Sequence, residues 1–266
     1  MPKLHIVVCV KIVPKPEEVR VDPETWRLDR SDARSEINPP DMNAMEVALR
    51  LKDRHGARVS ILSMGPPFFT PLLRVALAMG ADHIYLLSDR AFAGADTLAT
   101  TYTLARAIET LGDVDLVICG EESSDGATGQ VPAGLAAWLD WPQITMVNEV
   151  TLDTTSATVQ GRRELEGGHE VLAAPLPAVL SVQTAANEPR FMDFELKPWA
   201  FAEGRTTVWD QAALSADTAY LGIDGSPTQV SGLTEAPTRA RKRQILEGSV
   251  DEMATQLSTL LARYDV

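Results

Sequence analysis

The sequence predicts an α/β fold: a doubly wound parallel sheet extended by antiparallel strands, with an extended C-terminal arm ending in a helix. Three observations carry this expectation. Up to Gly120, short β-branched and aliphatic runs alternate with amphipathic stretches, which implies a parallel sheet with helices on both faces. After Pro142 the runs follow one another directly with tight turns between them, as antiparallel strands do. From Asn187 the chain becomes irregular and proline-punctuated until one last amphipathic stretch.

The elements follow in order. "LHIVVCVKIV" from Leu4 to Val13 is rich in β-branched residues and reads as one strand buried on both faces. "VPKPEEVRVDPETWRLDRSD" breaks the pattern and reads as an excursion with a small hairpin around Asp22-Pro23. "NPPDMNAMEVALRLKDRHG" is a helix: Asn38 suits its cap, Pro39 its first turn and Gly56 its end. Met45, Ala48 and Leu49 make its apolar stripe, and Lys52 borders it. "ARVSILSMG" is the second strand, "TPLLRVALAMGAD" the next helix and "HIYLLS" the third strand. "GADTLATTYTLARAIETLG" is a long helix with Leu98, Tyr102, Ala105 and Ile108 on one face, and "VDLVICG" is the fourth strand. "ITMVNEVTLD", "TSATVQGRRELEGGHEVLAA" and "PAVLSVQT" read as strands, with a tight turn at Gly167-Gly168. "SVDEMATQLSTLLARYDV" closes as a helix with Met253, Leu257, Leu260 and Leu261 on one face.

Composition narrows the function classes. The 266 residues allow one large domain or one domain plus an arm. A net charge of -13 argues against a nucleic acid partner, and the basic cluster Arg239 to Arg243 reads as a solvated or partner-facing patch within that acidic whole. No apolar run has the length of a membrane span, so an integral membrane protein is not expected. "MPKLHIVVCV" reads as a first strand rather than an export signal. Two cysteines without paired spacing, Cys9 and Cys119, suggest a reducing compartment, hence a cytoplasmic protein. Four scattered histidines and no CxxC argue against a metal or iron–sulfur site.

The stretch that poses a chemical question is "CGEESSDGATGQVP", Cys119 to Pro132. It joins a buried-looking strand to a short helix, "AGLAAWL", at the carboxyl end of a strand, where open parallel sheets bind ligands. It carries Glu121, Glu122 and Asp125 but no lysine or arginine. Gly126 and Gly129 permit close backbone approach, and the amides around Thr128, Gly129 and Gln130 open the helix, where phosphate binds without cations. Asp125 would accept from amides or a ribose, with Glu121 and Glu122 facing solvent. The competing reading makes Asp125 and Thr128 plain helix caps and the glycines a plain turn. Cys9 and Cys119 taken singly, and Trp138 and Trp141 at the helix end, read as buried packing residues.

Several stretches, taken in order, resemble the β subunit of electron transfer flavoproteins. They are "VCVKIVPKPEEVRVDPET", "INPPDMNAMEVALRLKD", "SMGPP", "RVALAMGADHIYLL", "CGEESSDGATGQVPAGLAAWLDWPQIT", "RRELEGGHEV" and "LPAVLSVQTAANEPRF". They cover about the first three-quarters of the chain. The resemblance implies an electron carrier subunit that pairs with an α subunit holding the electron-transferring FAD. It serves a flavin dehydrogenase of the acyl-CoA dehydrogenase type. The chain's own nucleotide would be AMP, or a second FAD as in electron-bifurcating members. Carried over residue by residue, the nucleotide contacts fall on Cys9, on Asn38, Pro39, Pro40 and Asp41, on Met64, and on Gly120 through Gln130. Within that loop Ser124, Asp125, Gly126, Thr128, Gly129 and Gln130 stand at the ribose and phosphate positions. Ala127 replaces the second aspartate of many members. The dehydrogenase-recognition segment falls on "FMDFELKPWAFAEG", with Phe194 as the anchor and Leu196 the next candidate, and the usual lysine-rich continuation is missing. The same likeness divides the chain into an adenine-nucleotide-binding domain, 1–190, and a recognition loop with an arm packing on the α subunit, 191–266.

Overall fold

The computed structural model describes residues 4–15, 20–21, 28–29, 34–229 and 243–263. Strand β1 (His5–Cys9) is buried along its whole length. The stretch expected as one strand from Leu4 to Val13 is two. After Cys9 the chain leaves the sheet at the exposed Lys11, whose charge cannot stay in a layer covered on both faces. Strand β2 (Ile12–Pro14) follows. Strands β3 (Arg20–Val21) and β4 (Leu28–Asp29) pair antiparallel, as a hairpin does, and the turn expected at Asp22-Pro23 lies outside the described residues. Strand β5 (Ser35–Ile37) returns to pair antiparallel with β2.

Helix α1 (Pro39–His55) starts with prolines in its first turn and ends at Gly56, whose φ of 68° is the left-handed conformation glycine adopts without strain. Met45, Ala48 and Leu49 are buried against the sheet, and Lys52 pairs with Asp82 at the border. Strand β6 (Arg58–Met64), helix α2 (Thr70–Ala78), strand β7 (His83–Leu87), helix α3 (Thr97–Leu111), strand β8 (Leu116–Gly120) and helix α4 (Val131–Leu139) follow. The carboxylate of Asp96 caps α3 by accepting from the Ala99 amide. Tyr102, Ala105 and Ile108 are buried as expected, while Leu98 in the first turn is exposed. Trp141 is half-buried against the core, but Trp138, expected to be buried, is 36% exposed and packs edge-on to Tyr102 and Tyr220.

Strands β9 (Gln143–Val147), β10 (Glu149–Asp153), β11 (Thr158–Leu165), β12 (Gly168–Pro175) and β13 (Ala178–Val182) come next, then α5 (Lys197–Ala200), β14 (Thr206–Trp209) and α6 (Gln211–Leu214). The main sheet has seven strands in the order β14-β7-β6-β1-β8-β13-β9, and every pairing within it is parallel. The chain thus adopts the expected α/β class. The antiparallel strands β10, β11 and β12 form a sheet of their own beside it. The reason is legible in burial. Strand β13, "AVLSV", is buried at every position and belongs between neighbours of a covered sheet. Strand β11 alternates, as a strand with one wet face does.

Successive residues of β1 feed two cores. Ile6 and Val8 meet Met45, Leu49 and Leu77 on one face; Val7 and Cys9 meet Ile108, Leu135 and Val117 on the other. The segment after Asn187, irregular in the sequence, contributes β14 to the edge of the sheet beside β7.

Residues from Gly232 to Val266 form a second compact unit. Its helix α7 (Val250–Leu261) opens with a capping box between Ser249 and Glu252. The cluster Arg239 to Arg243 lies outside the described residues except for Arg243.

Candidate functional site

The strand order reverses at β1: the chain goes from β1 outward to β6 and β7, then returns to β8 on the other side. Open α/β sheets bind ligands at such a switch point, beyond the carboxyl ends of the strands. A cavity of about 390 Å³ opens there. That volume suits a nucleotide-sized ligand.

Its floor is built by the start of α1 against the end of β8. Asp41 is 7% exposed, and its carboxylate accepts from the Lys11 amide at 2.7 Å. Burial pushes this carboxyl up to about 7, against the hydrogen bonds from the Lys11 and Gly120 amides and the Asn38 side chain. A Cβ on Gly120 would stand 2.5 Å from the Asp41 Oδ1 and 2.7 Å from the Pro40 carbonyl carbon, so only glycine fits.

Asn38 does not cap α1. Its buried side chain spans the nucleotide loop instead: Nδ2 donates to the Glu122 carbonyl at 2.8 Å and Oδ1 accepts from the Ser124 amide at 3.0 Å. The two backbone groups offered a fixed partner and won it from the helix end. The loop then turns tightly. The amides of Gly126 and Ala127 both point back to the Ser123 carbonyl, and Ala127 (φ 46°) and Gly129 (φ 61°) are left-handed. Beyond that turn the amides of Thr128, Gly129 and Gln130 have no acceptor among the described residues, and they lead into α4. Helix α4 has no side-chain cap among the described residues, so neither Asp125 nor Thr128 serves as one. Such amides at the start of a helix suit an anion.

Asp125 receives the Lys11 ammonium at 2.6 Å. Glu121, expected to face solvent, accepts from the Thr184 amide at 3.0 Å and the Thr184 hydroxyl at 2.6 Å, fixing the turn after β13. Glu122 is exposed, as expected.

Of the residues singled out in the sequence, Cys9, Asn38, Asp41, Met64, Gly120, Gly126, Thr128 and Gly129 line the cavity; Pro39, Pro40, Ser124, Asp125, Ala127 and Gln130 belong to the same segments but do not line it. Cys9 and Cys119 are free, buried thiols of the wall. The hydrogen bond between them and burial push the Cys119 thiol well above its ordinary range.

Two contributions were missed in the sequence. One is Lys11, which lies far from the loop along the chain. The other is the wall after β7, which includes Phe92, Gly94, Asp96 and Thr97. "GADT" follows a strand's carboxyl end just as the quoted loop does, and that placement was the available signal. The Thr97 hydroxyl comes within 3.5 Å of the Thr128 hydroxyl across the opening. Asp96 also accepts from the Thr228 amide and hydroxyl, at 3.0 and 2.6 Å, fastening that stretch to the wall.

The aromatic segment after Pro189 has a firm root and exposed tips. Glu46, 5% exposed at its side chain, accepts from the Arg190 amide at 3.1 Å and from Arg190 Nε at 2.8 Å; Arg190 also reaches Asp53. Asn43 and Asn187 exchange side-chain to backbone hydrogen bonds beside them. From this root Phe191 and Phe194 project, 94% and 72% exposed, with Leu196 at 37%. Trp199 lies under Arg205 and Phe201 beside Arg74, so both are held locally.

Among the described residues no helix is long and apolar enough to cross a membrane, and no group of histidines, cysteines and carboxylates is placed to hold a metal ion.

The family described as the electron transfer flavoprotein domain matches residues 25–214. The chain is 42% identical over 260 residues to an electron transfer flavoprotein subunit beta of Clostridium acetobutylicum, covering 97% of this chain and 98% of that protein. It is 39% identical over 259 residues to the caffeyl-CoA reductase-Etf complex subunit CarD of Acetobacterium woodii, covering 97% and 98%. With the protein FixA of Azotobacter vinelandii it shares 37% identity over 265 residues, covering 98% and 94%.

Proposed function

Because the chain belongs to the electron transfer flavoprotein family, as a subunit of the β type, we propose that it works in a heterodimer with an α subunit and carries electrons between a flavin dehydrogenase and another redox partner. The observation that carries the reading is the cavity at the switch point, with amides that have no acceptor among the described residues on one side and an apolar wall on the other. It suits the adenylate moiety that AMP and FAD share. No acid, base or nucleophile of this chain is needed for the reaction. Flavin supplies the redox chemistry when bound, and the chain binds, orients and shields it.

Asn38 fixes the loop, Gly120 lets the floor close, and Thr128 through Gln130 present amides to phosphate. Residues 1–190 form the nucleotide-binding domain in this reading. Residues 191–266 supply the recognition loop and the arm that packs on the α subunit. Phe194, with Leu196 beside it, anchors in the dehydrogenase, because large exposed apolar side chains on a fixed root make interface anchors. The partner in this reading is a flavin dehydrogenase of the acyl-CoA dehydrogenase type; the relative named for a caffeyl-CoA reductase-Etf complex supports only a partner that acts on a CoA ester. Two free buried thiols support a cytoplasmic setting.

The test is to denature the purified complex and quantify FAD and AMP per heterodimer. One FAD with one AMP marks an ordinary carrier; two FAD and no AMP mark a complex of the bifurcating kind. A colourless complex that does not bleach with reductant refutes the carrier reading and leaves a nucleotide-binding structural module.

A further inference from the structure

Lys11 is the single cationic side chain among the described residues that line the cavity. Its backbone is fixed on both sides. The amide donates to Asp41 at 2.7 Å, and the carbonyl accepts from the Asn38 amide at 2.9 Å. From that anchored position the ammonium crosses to the nucleotide loop, 2.6 Å from Asp125 Oδ1 and 3.3 Å from the Ser123 hydroxyl. A lysine ammonium has three donors. Asp125 and Ser123 take two of them, and the third is left for a ligand.

The surroundings show why a cation matters. The loop carries Glu121, Glu122 and Asp125, and the whole chain has a net charge of -13. Helix-end amides supply only partial positive charge, so an anion would enter against the local field. One fixed ammonium at the cavity wall neutralises Asp125 and puts a full positive charge beside the loop whose Thr128 and Gly129 line the cavity.

We propose that Lys11 is the phosphate-binding cation of this cavity. Asp125 and Ser123 hold its ammonium over the loop, the amides of Thr128 to Gln130 face the phosphate from the other side, and the cavity thereby selects phosphorylated adenosine over adenosine. The proposal rests on the reading of the cavity as an adenine-nucleotide site. It gives Asp125 a definite part: the carboxylate orients the lysine.

The test is equilibrium dialysis of AMP, FAD and adenosine against the nucleotide-stripped heterodimer, wild type and Lys11→Met. The lysine side chain is 49% exposed, so the substitution is compatible with folding, and an unchanged unfolding midpoint of the stripped complexes checks this. Loss of one charge-assisted hydrogen bond predicts AMP or FAD binding weakened at least about tenfold, with adenosine binding unchanged. Phosphorylated ligands bound equally by both proteins overturn the proposal while the nucleotide site stands. Equal weakening of AMP and adenosine overturns it too, because Lys11 then only shapes the cavity. If the wild type binds neither AMP nor FAD, the nucleotide reading itself fails.

Discussion

Replacing Arg190 by alanine tests how the aromatic loop is rooted. Glu46 is 5% exposed at its side chain, and in the variant it keeps Arg50 but loses two guanidinium hydrogen bonds, at 2.8 and 3.3 Å. Removing one partner of a buried pair costs about 3–5 kcal/mol. Arg190 is 32% exposed and Arg50 remains, so solvent and the second arginine reduce the loss to about 2 kcal/mol. The pH dependence sharpens the prediction. Burial alone pushes the Glu46 carboxyl up, but the hydrogen bonds from Arg190 and Arg50 outweigh it and hold the group below its ordinary range. A carboxyl lowered by folding stabilises above its unfolded pKa, and the contribution is lost as pH falls through the folded one. Without Arg190 the carboxyl moves up and protonates sooner, which relieves the variant's penalty. The gap between wild type and Arg190→Ala is therefore widest near neutral pH and narrows toward about pH 4.5. Urea unfolding at both pH values measures it. Hydrogen exchange should also show faster exchange across residues 187–194 in the variant. A gap under about 0.5 kcal/mol, the scatter of ordinary surface substitutions, or an equal gap at both pH values refutes the reasoning.

Gly120→Ala forces a methyl group onto Asp41 and the Pro40 backbone; a cost of about 1–3 kcal/mol is expected, seen as a melting temperature at least about 3 °C lower, and an unchanged melting curve would show that the floor yields. Gly129→Val places a β-branched residue at φ 61° and crowds the free amides, so the purified complex should carry less nucleotide and lose the stability that ligand contributes; full occupancy would mean the loop is only a turn. Phe194→Ala removes a side chain that is 72% exposed, so stability should change by less than about 0.5 kcal/mol with flavin content intact, while electron exchange with the dehydrogenase slows; exchange at the wild-type rate sinks the anchor. Burial and the neighbouring Arg58 lower the His5 imidazole, so the stability it contributes above its unfolded pKa of about 6.5 is lost as pH falls. His5→Gln should flatten that fall below about pH 6.5 in unfolding midpoints, and equal slopes would count against it.

What the sequence made legible is what local periodicity encodes. The parallel core was readable because its strands are continuous apolar runs and its helices carry stripes such as Met45, Ala48 and Leu49. The nucleotide loop was readable from its position between a strand and a helix. What was not legible depends on distant partners. Asn38 has the right residue type for a cap, but its buried side chain is taken by the Glu122 carbonyl and the Ser124 amide. Lys11 was absorbed into a strand expected to run from Leu4 to Val13, because nothing near it in the chain announces Asp125. Strand β14 is four residues long at the sheet edge, too short to show a period. Turn signals announced that the strands after Pro142 run antiparallel to one another in β10, β11 and β12, yet could not show that β9 and β13 join the parallel sheet.

Asn38 and Glu46 are eight positions apart at the start and middle of α1, about 12 Å along its axis. The first grips the nucleotide loop and the second grips the base of the aromatic loop. A helix backed by a packed core does not stretch over that span; it moves as a unit. A ligand that shifts the Asn38 grip bears on the Glu46 grip through this one helix, and any coupling between them acts equally in both directions. Filling of the cavity can in this way be felt by a protein that touches only Phe191 and Phe194.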